Sequence, residues 1–353
     1  MSNPEGVARR IRIPHEDLAV AWSSIKLPEG VRERLLAQSL LAFTVRQKLP
    51  FEVAPLHGLI LLSGAPGTGK TTIARGLANQ VANQLTGTKC TFLEIDPHAL
   101  SSSALGRSQQ AMTKLFEQTI PEAAMGGAAM VLLDEVETLA VSRHKLSFDA
   151  NPADVHRATD AVLSGMDRLT RDHRNVLLIA TTNFAKALDT AFLSRVDHIE
   201  EFGLPNEEAR REIILETLHA LGGVWKHVKT LEGDADRLAK TANGLDGRRI
   251  RKEIFVAVGS DIDTAKDPNR LTPRTIPLRP QPGLLQPRRI LLCECTPRAT
   301  FLPTPCFRHH TGRALSTRLR SDSTPGNPLC RPLRGTSFRT ADKCAAAAPR
   351  LRV

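Results

Sequence analysis

Three short stretches of this chain are apolar at consecutive positions. They are Leu59-Ile60-Leu61-Leu62, closed by Ser63, then Met130-Val131-Leu132-Leu133, and Val176-Leu177-Leu178-Ile179-Ala180 after Asn175. Runs of this length, apolar on both faces, predict the central strands of a parallel sheet covered by helices on each side. Behind the first run, Thr72-Ile73-Ala74-Arg75-Gly76-Leu77-Ala78 predicts the start of a helix. Further on, Ile214, Leu218 and Leu221 recur at helical spacing. Asn206-Glu207-Glu208-Ala209 precedes them, an N-cap residue followed by acids that suit the positive end of the helix dipole. The pattern predicts an α/β fold with a parallel sheet flanked by helices, followed by a small helical lid. No internal repeat is present. No apolar run reaches the ~18 residues of a membrane-crossing helix.

The turn between the first strand and its helix carries the chemistry. Gly64-Ala65-Pro66-Gly67-Thr68-Gly69-Lys70-Thr71-Thr72 fits G-x-x-x-x-G-K-[ST] without a mismatch. Glycines let the backbone N–H groups turn inward onto phosphate oxygens, and the helix N-terminus adds partial positive charge there. Lys70 is placed to reach the β- and γ-phosphates, and the Thr71 hydroxyl to ligate Mg2+. Gly64 to Thr72 is therefore the expected ATP cradle.

The second run ends in Asp134-Glu135, ~60 residues after the loop, the layout of a P-loop ATPase. Carboxylates at the C-terminal end of a central strand lie where such sheets bind ligands. Asp134 is expected to hold Mg2+ with Thr71, since that cation selects oxygen ligands. Glu135 is expected to polarise the attacking water. The third run leads through Thr181-Thr182 to Asn183. Its amide is expected to orient the same water, although an Asn after a strand can also be a simple turn residue.

Phosphate loop, Asp-Glu strand and strand-end Asn together resemble an AAA+ ATPase, with Asn183 as sensor 1. Three further segments narrow the resemblance: VLLDEVETLAVSR (Val131 to Arg143), PADVHRATDAVLSGMD (Pro152 to Asp167) and GLDGRRIRKEI (Gly244 to Ile254). With the lead-in from Trp22 to Pro28, they are similar to the pachytene-checkpoint / thyroid-receptor-interactor subgroup, the HORMA-remodelling AAA+ ATPases. The resemblance implies a homohexameric ring acting on a protein substrate. It implies an arginine finger at Arg195, in LDTAFLSRVD, reaching a neighbouring subunit's nucleotide. An ordinary ion pair with Asp189 or Asp197 is the bland alternative. It implies sensor 2 at Arg248, with Arg249 and Arg251 close enough to compete, and an interface arginine at Arg157, for which a solvated helix residue is the equal alternative. The stretch Leu100 to Gly106 matches the loop that grips substrate in the pore, but holds no aromatic residue. Only about twenty residues precede Trp22, too few for a domain with its own core.

Charge divides the chain sharply. The net charge is +11, yet residues 271–353 hold fifteen Lys or Arg against Glu294, Asp322 and Asp342, leaving 33 basic and 34 acidic residues before them. The same tail holds twelve of the 23 prolines and five of the six cysteines. Such sequence cannot bury enough apolar surface to offset chain entropy, so disorder is expected. Pro277, Pro280 and Pro282 forbid the last lid helix that residues 267–274 prepare, and translation out of frame from near Arg274 would produce this break. Cys293-x-Cys295 with Cys306, His309 and His310 is a poor match to zinc spacing. The arginines allow only nonspecific nucleic-acid contacts. Four regions are expected: an N-terminal lead-in (1–57), a large nucleotide-binding α/β domain (58–205), a helical lid (206–274) and the Arg/Pro-rich tail (275–353). The N-terminus lacks the apolar centre of a secretory signal, and Cys90 alone before the tail fits a reducing cytoplasm.

The expected function is ATP binding and hydrolysis that drives remodelling of a partner protein. Two alternatives stay open. One is a nucleotide-gated switch or scaffold that does not thread substrate, suggested by Ser103-Ala104-Leu105. The other is an inactive subunit damaged at its C-terminus.

Overall fold

The computed structural model describes residues 4–100, 107–140 and 152–278. The expected gripping loop after Leu100, residues 141–151 and the tail from 279 onward lie outside the described residues, and with them the disorder, zinc and reading-frame expectations.

Six strands form one sheet: β1 (Val7–Ile13), β2 (Leu59–Gly64), β3 (Cys90–Ile95), β4 (Ala128–Leu133), β5 (Val176–Thr182) and β6 (His198–Phe202). Their spatial order is β1-β3-β4-β5-β2-β6. All neighbours run parallel except β1, which lies antiparallel along β3. The three apolar runs are thus adjacent central strands, and β4 and β5 are buried at every residue. The third starts at Val176 because Asn175 is spent on a turn. Its amide donates to the Ala124 carbonyl at 2.9 Å and to that of Gly127.

Helices cover both faces. On one lie α1 (Glu16–Ser24), α2 (Val31–Arg46) and α3 (Lys70–Gln84), packed through Leu18, Leu35, Phe43, Ile73 and Leu77. Gly76 of α3 lets α1 sit close, since a Cβ there would come within 2.6 Å of the Trp22 backbone. On the other face lie α4 (Pro97–Leu100) and α5 (Arg107–Lys114), the latter continuing through a π-helical turn into α6 (Ile120–Ala124). With them lie α7 (Pro152–Asp172), which buries Val162, Met166 and Leu169 at helical spacing, and α8 (Thr190–Leu193). Residues 1–57, read as a lead-in, therefore supply one sheet strand and two helices to the core of the large domain.

The lid has its own core. It comprises α9 (Glu207–Val224), α10 (Ala235–Thr241), α11 (Gly247–Val258) and α12 (Ile262–Lys266) around Ile214, Leu218, Leu238, Ile250 and Ile254. The Asn206 side chain caps α9 by accepting from the Ala209 N–H at 2.8 Å. The lid does not end at Arg274. Ile276 and Leu278 are 6% and 1% exposed within its core. Proline rules out a helix here but not an extended segment, and burying two such side chains contributes about 1.5–3 kcal/mol each.

Two carboxylates brace the strand that leads into the site. Asp197 accepts from the N–H groups of His57, Gly58 and Leu59, at 2.9, 2.6 and 3.1 Å, where β2 begins. Glu200 of β6 takes a two-point bond from Arg34 of α2, at 2.9 and 2.6 Å. Among the described residues no helix is long and apolar enough to cross a membrane.

Candidate nucleotide-binding site

The C-terminal ends of β4, β5 and β2 lie side by side, with Leu133 in register with Ala180 and Ser63 with Thr182. The loops that leave these three strands therefore meet at one edge of the sheet, where open parallel sheets bind ligands. The loop after β2 turns through Gly67 at φ 82°. A Cβ on Gly67 would fall 2.2 Å from the Asp246 carboxylate of the lid. Glycine suits the left-handed turn there, and any side chain would have to displace the Asp246 carboxylate.

Lys70 opens α3 and is only 6% exposed. Its ammonium donates to the carbonyls of Gly64 and Ala65, at 2.8 and 2.9 Å, and to Asn183 Oδ1 at 3.0 Å. None of these partners is a carboxylate, so the cation is held in place without being neutralised by its hydrogen-bond partners. Burial pushes its pKa down, the charges of Glu137, Asp134 and Glu135 push it back up, and Arg248 lowers it again. A buried ammonium held by neutral oxygens at a helix N-terminus fits a phosphate chain. Lys70→Ala should weaken binding of a fluorescent ATP analogue by about 100-fold or more. A dissociation constant within about threefold of the natural chain would remove Lys70 from the phosphate site.

Thr71 and Asp134 also meet. The Thr71 hydroxyl donates to Asp134 Oδ1 at 2.8 Å, and Thr181 donates to the same oxygen. Hydroxyl and carboxylate oxygens at one point suit Mg2+. Glu135 is exposed and adopts φ 50°, the only positive φ outside glycine among the described residues. Its N–H donates to Thr181 Oγ1 at 3.1 Å, and its Oε1 accepts from Asn183 Nδ2 at 3.5 Å. The expected Lys70, Asp134, Glu135 and Asn183 are therefore brought together.

Of the two arginines, Arg195 stands apart from this group, whereas the charge of Arg248 reaches Lys70. Arg195 forms a two-point bond with Asp167 of α7, at 2.7 and 2.8 Å, and donates to the Ala191 carbonyl at 2.6 Å. Its ion pair is thus neither of the two anticipated. Asp189 caps α8 through the Ala191 N–H and Asp197 braces β2. Arg248 lies exposed in the first turn of α11. Its competitors are engaged elsewhere, Arg249 with Glu253 at 2.6 Å and Arg251 with Glu216 at 2.9 Å. Arg157 is exposed on α7.

Beside Gly67 and Thr68 opens a cavity of about 150 Å³ between lead-in and lid, walled by Ile25, Leu27, Leu204, Pro205 and Ile213. An apolar slot next to a phosphate loop suits a purine base. Sequence reasoning missed this slot, the Asp167 partner of Arg195, and Glu137, whose carboxylate accepts the Asn183 N–H at 3.1 Å. Of these, only Glu137 had a local signal, as a third acid close behind Asp134-Glu135.

Fold and site define a nucleotide-binding P-loop protein, and the chain belongs to the AAA ATPases: the profile described as ATPase family associated with various cellular activities (AAA) matches residues 60–204. Within that family it is similar to CD-NTase-associated protein 6 of Pseudomonas aeruginosa, at 46% identity over 271 residues, 76% of this chain and 89% of that protein. The pachytene checkpoint protein 2 homolog of Oryza sativa subsp. indica is 30% identical over 285 residues, 70% of this chain and 60% of the relative. The chain thus spans less than two thirds of that plant protein. Among solved structures, a chain of the E. coli MS115-1 HORMA:CdnC:Trip13 complex superposes with a TM-score of 0.60 at 23% identity, over 76% of this chain and 93% of that one. C. elegans PCH-2 gives a TM-score of 0.60 at 24% identity, over 74% and 72%. These two likenesses speak to the fold, an α/β AAA+ sheet flanked by helices.

Proposed function

We propose that the chain binds ATP with Mg2+, hydrolyses it to ADP and phosphate, and uses the turnover to remodel a partner protein containing a HORMA domain. The observation that carries the ATPase reading is the convergence of Lys70, Asp134, Glu135 and Asn183 at three adjacent strand ends. The loop from Gly64 to Thr72 cradles the triphosphate, and the apolar slot takes the base. Thr71 and Asp134 hold Mg2+, which supplies neutralising charge to the phosphates. Glu135 polarises the attacking water and Asn183 orients it. Arg248 approaches the γ-phosphate from the same subunit's lid, and Arg195 serves the neighbour's site in a ring-shaped oligomer, a hexamer by family resemblance. The partner class rests on the relatives: one is named for association with a CD-NTase, and a structural neighbour is a complex with a HORMA protein and CdnC. The free thiol of Cys90 suits a cytoplasmic setting.

Steady-state ATP turnover of the full chain, across protein concentration and with a bacterial HORMA-domain protein added, tests this. Specific activity should rise with concentration and rise further with the partner. Turnover indifferent to every HORMA-domain protein tried would sink the partner class and leave the ATPase. Binding without turnover would leave a nucleotide-gated switch.

A further inference from the structure

Glu137 has no part in the chemistry proposed for this site, yet it touches Asn183 at its centre. The chain leaves β4 at Asp134 and reverses through the left-handed Glu135 into a 3-10 turn, Val136–Thr138. That reversal carries Glu137 back to the end of β5. Its Oε1 accepts the Asn183 N–H at 3.1 Å. Its Oε2 is buried with no hydrogen-bond partner among the described residues.

The Asn183 amide joins the two halves of the site. Lys70 can only donate, so it meets the amide oxygen, and the Glu135 carboxylate accepts from the amide nitrogen. The side chain's orientation is thereby set, but its position depends on the backbone from which it projects. Phe184 N–H donates to Thr182 Oγ1 at 3.0 Å on one side. Glu137 fixes Asn183 itself. Glu137 also places a negative charge near Lys70, and of the three acids acting on that ammonium its effect is the largest.

We propose that Glu137 is a positioning residue for hydrolysis, holding the backbone of Asn183, and that its charge also holds nucleotide affinity down. This rests on the hydrolysis reading. The two roles separate by chemistry. Gln at this position keeps an acceptor for the Asn183 N–H and loses the charge, whereas Ala loses both. A buried carboxylate beside the phosphate site opposes an incoming triphosphate, so removing its charge tightens binding.

The test compares the full-length natural chain with Glu137→Gln and Glu137→Ala, reading kcat, KM and the affinity for a fluorescent non-hydrolysable ATP analogue in Mg2+. Glu137→Gln should keep kcat within about threefold and bind the analogue about 3- to 10-fold more tightly. Glu137→Ala should bind with the same gain and lose about 10- to 100-fold in kcat, the scale of losing a supporting hydrogen bond behind an active-site group. Equal kcat for the two variants would overturn the positioning role. Unchanged analogue affinity in Glu137→Gln would overturn the charge role. Should Glu137→Ala fail to melt cooperatively, a kcat in Glu137→Gln more than about tenfold below the natural chain overturns the positioning role instead. A natural chain that binds the analogue and hydrolyses nothing sinks the hydrolysis reading, and the analogue affinities then decide the charge role alone.

Discussion

Arg195→Ala will bind ATP as the natural chain does and lose turnover by about 10³-fold or more, the scale of removing an arginine finger. Within its own subunit, the guanidinium is held by Asp167 and the Ala191 carbonyl, and neither belongs to the phosphate loop. Losing it therefore leaves its own cradle intact. The Arg195 and Asp167 side chains are only 20% and 32% exposed and meet at two points, so losing the pair costs the fold about 1–3 kcal/mol. To act on a neighbour's nucleotide, as proposed, the guanidinium has to leave Asp167 and the Ala191 carbonyl. The deciding measurement mixes Arg195→Ala with Glu135→Gln. In the proposed oligomer with shared sites, mixed assemblies hold some junctions where an intact Glu135 faces an intact Arg195, so part of the activity should return. Intact assembly without any return would falsify the action between subunits.

Glu135→Gln should retain ATP and hydrolyse it about 10²- to 10³-fold more slowly, as expected when a residue acting on the attacking water loses its basicity. Gln preserves the shape and the acceptor that meets Asn183 Nδ2, so the ground-state site changes little. What disappears is the charge that draws a proton from water. ATP recovered unhydrolysed with the protein after gel filtration would show the trapped state. A single-turnover rate within tenfold of the natural chain, where the expected loss is about 10² or greater, would remove Glu135 from the chemistry.

Much of this site is legible along the chain because its parts sit at strand ends. Continuous apolar runs mark β2, β4 and β5, since strands buried on both faces have no polar positions to interrupt them. The lid helix α9 is legible from its cap and stripe. What escapes is decided by packing at a distance. Asp167 of α7 meets Arg195, in the turn after α8, across 28 residues, and no spacing rule links them. The burial of β1 alternates, but Arg9 stands at one of its inward positions, so the edge strand hides within the lead-in. Ile276 and Leu278 lie among prolines that read as the end of the fold. By contrast, the pairing of Arg249 with Glu253 had a local clue, because they stand at i and i+4 on one helix face.

The nearness of Gly67 to Asp246 has a mechanical corollary. Asp246 also caps α11 through the Arg249 N–H at 2.9 Å, so one carboxylate both starts the arginine-bearing helix and lies against the phosphate loop. Phosphates entering the loop bring negative charge toward that carboxylate and repel it. A lid bearing on the loop in this way should register what the loop contains.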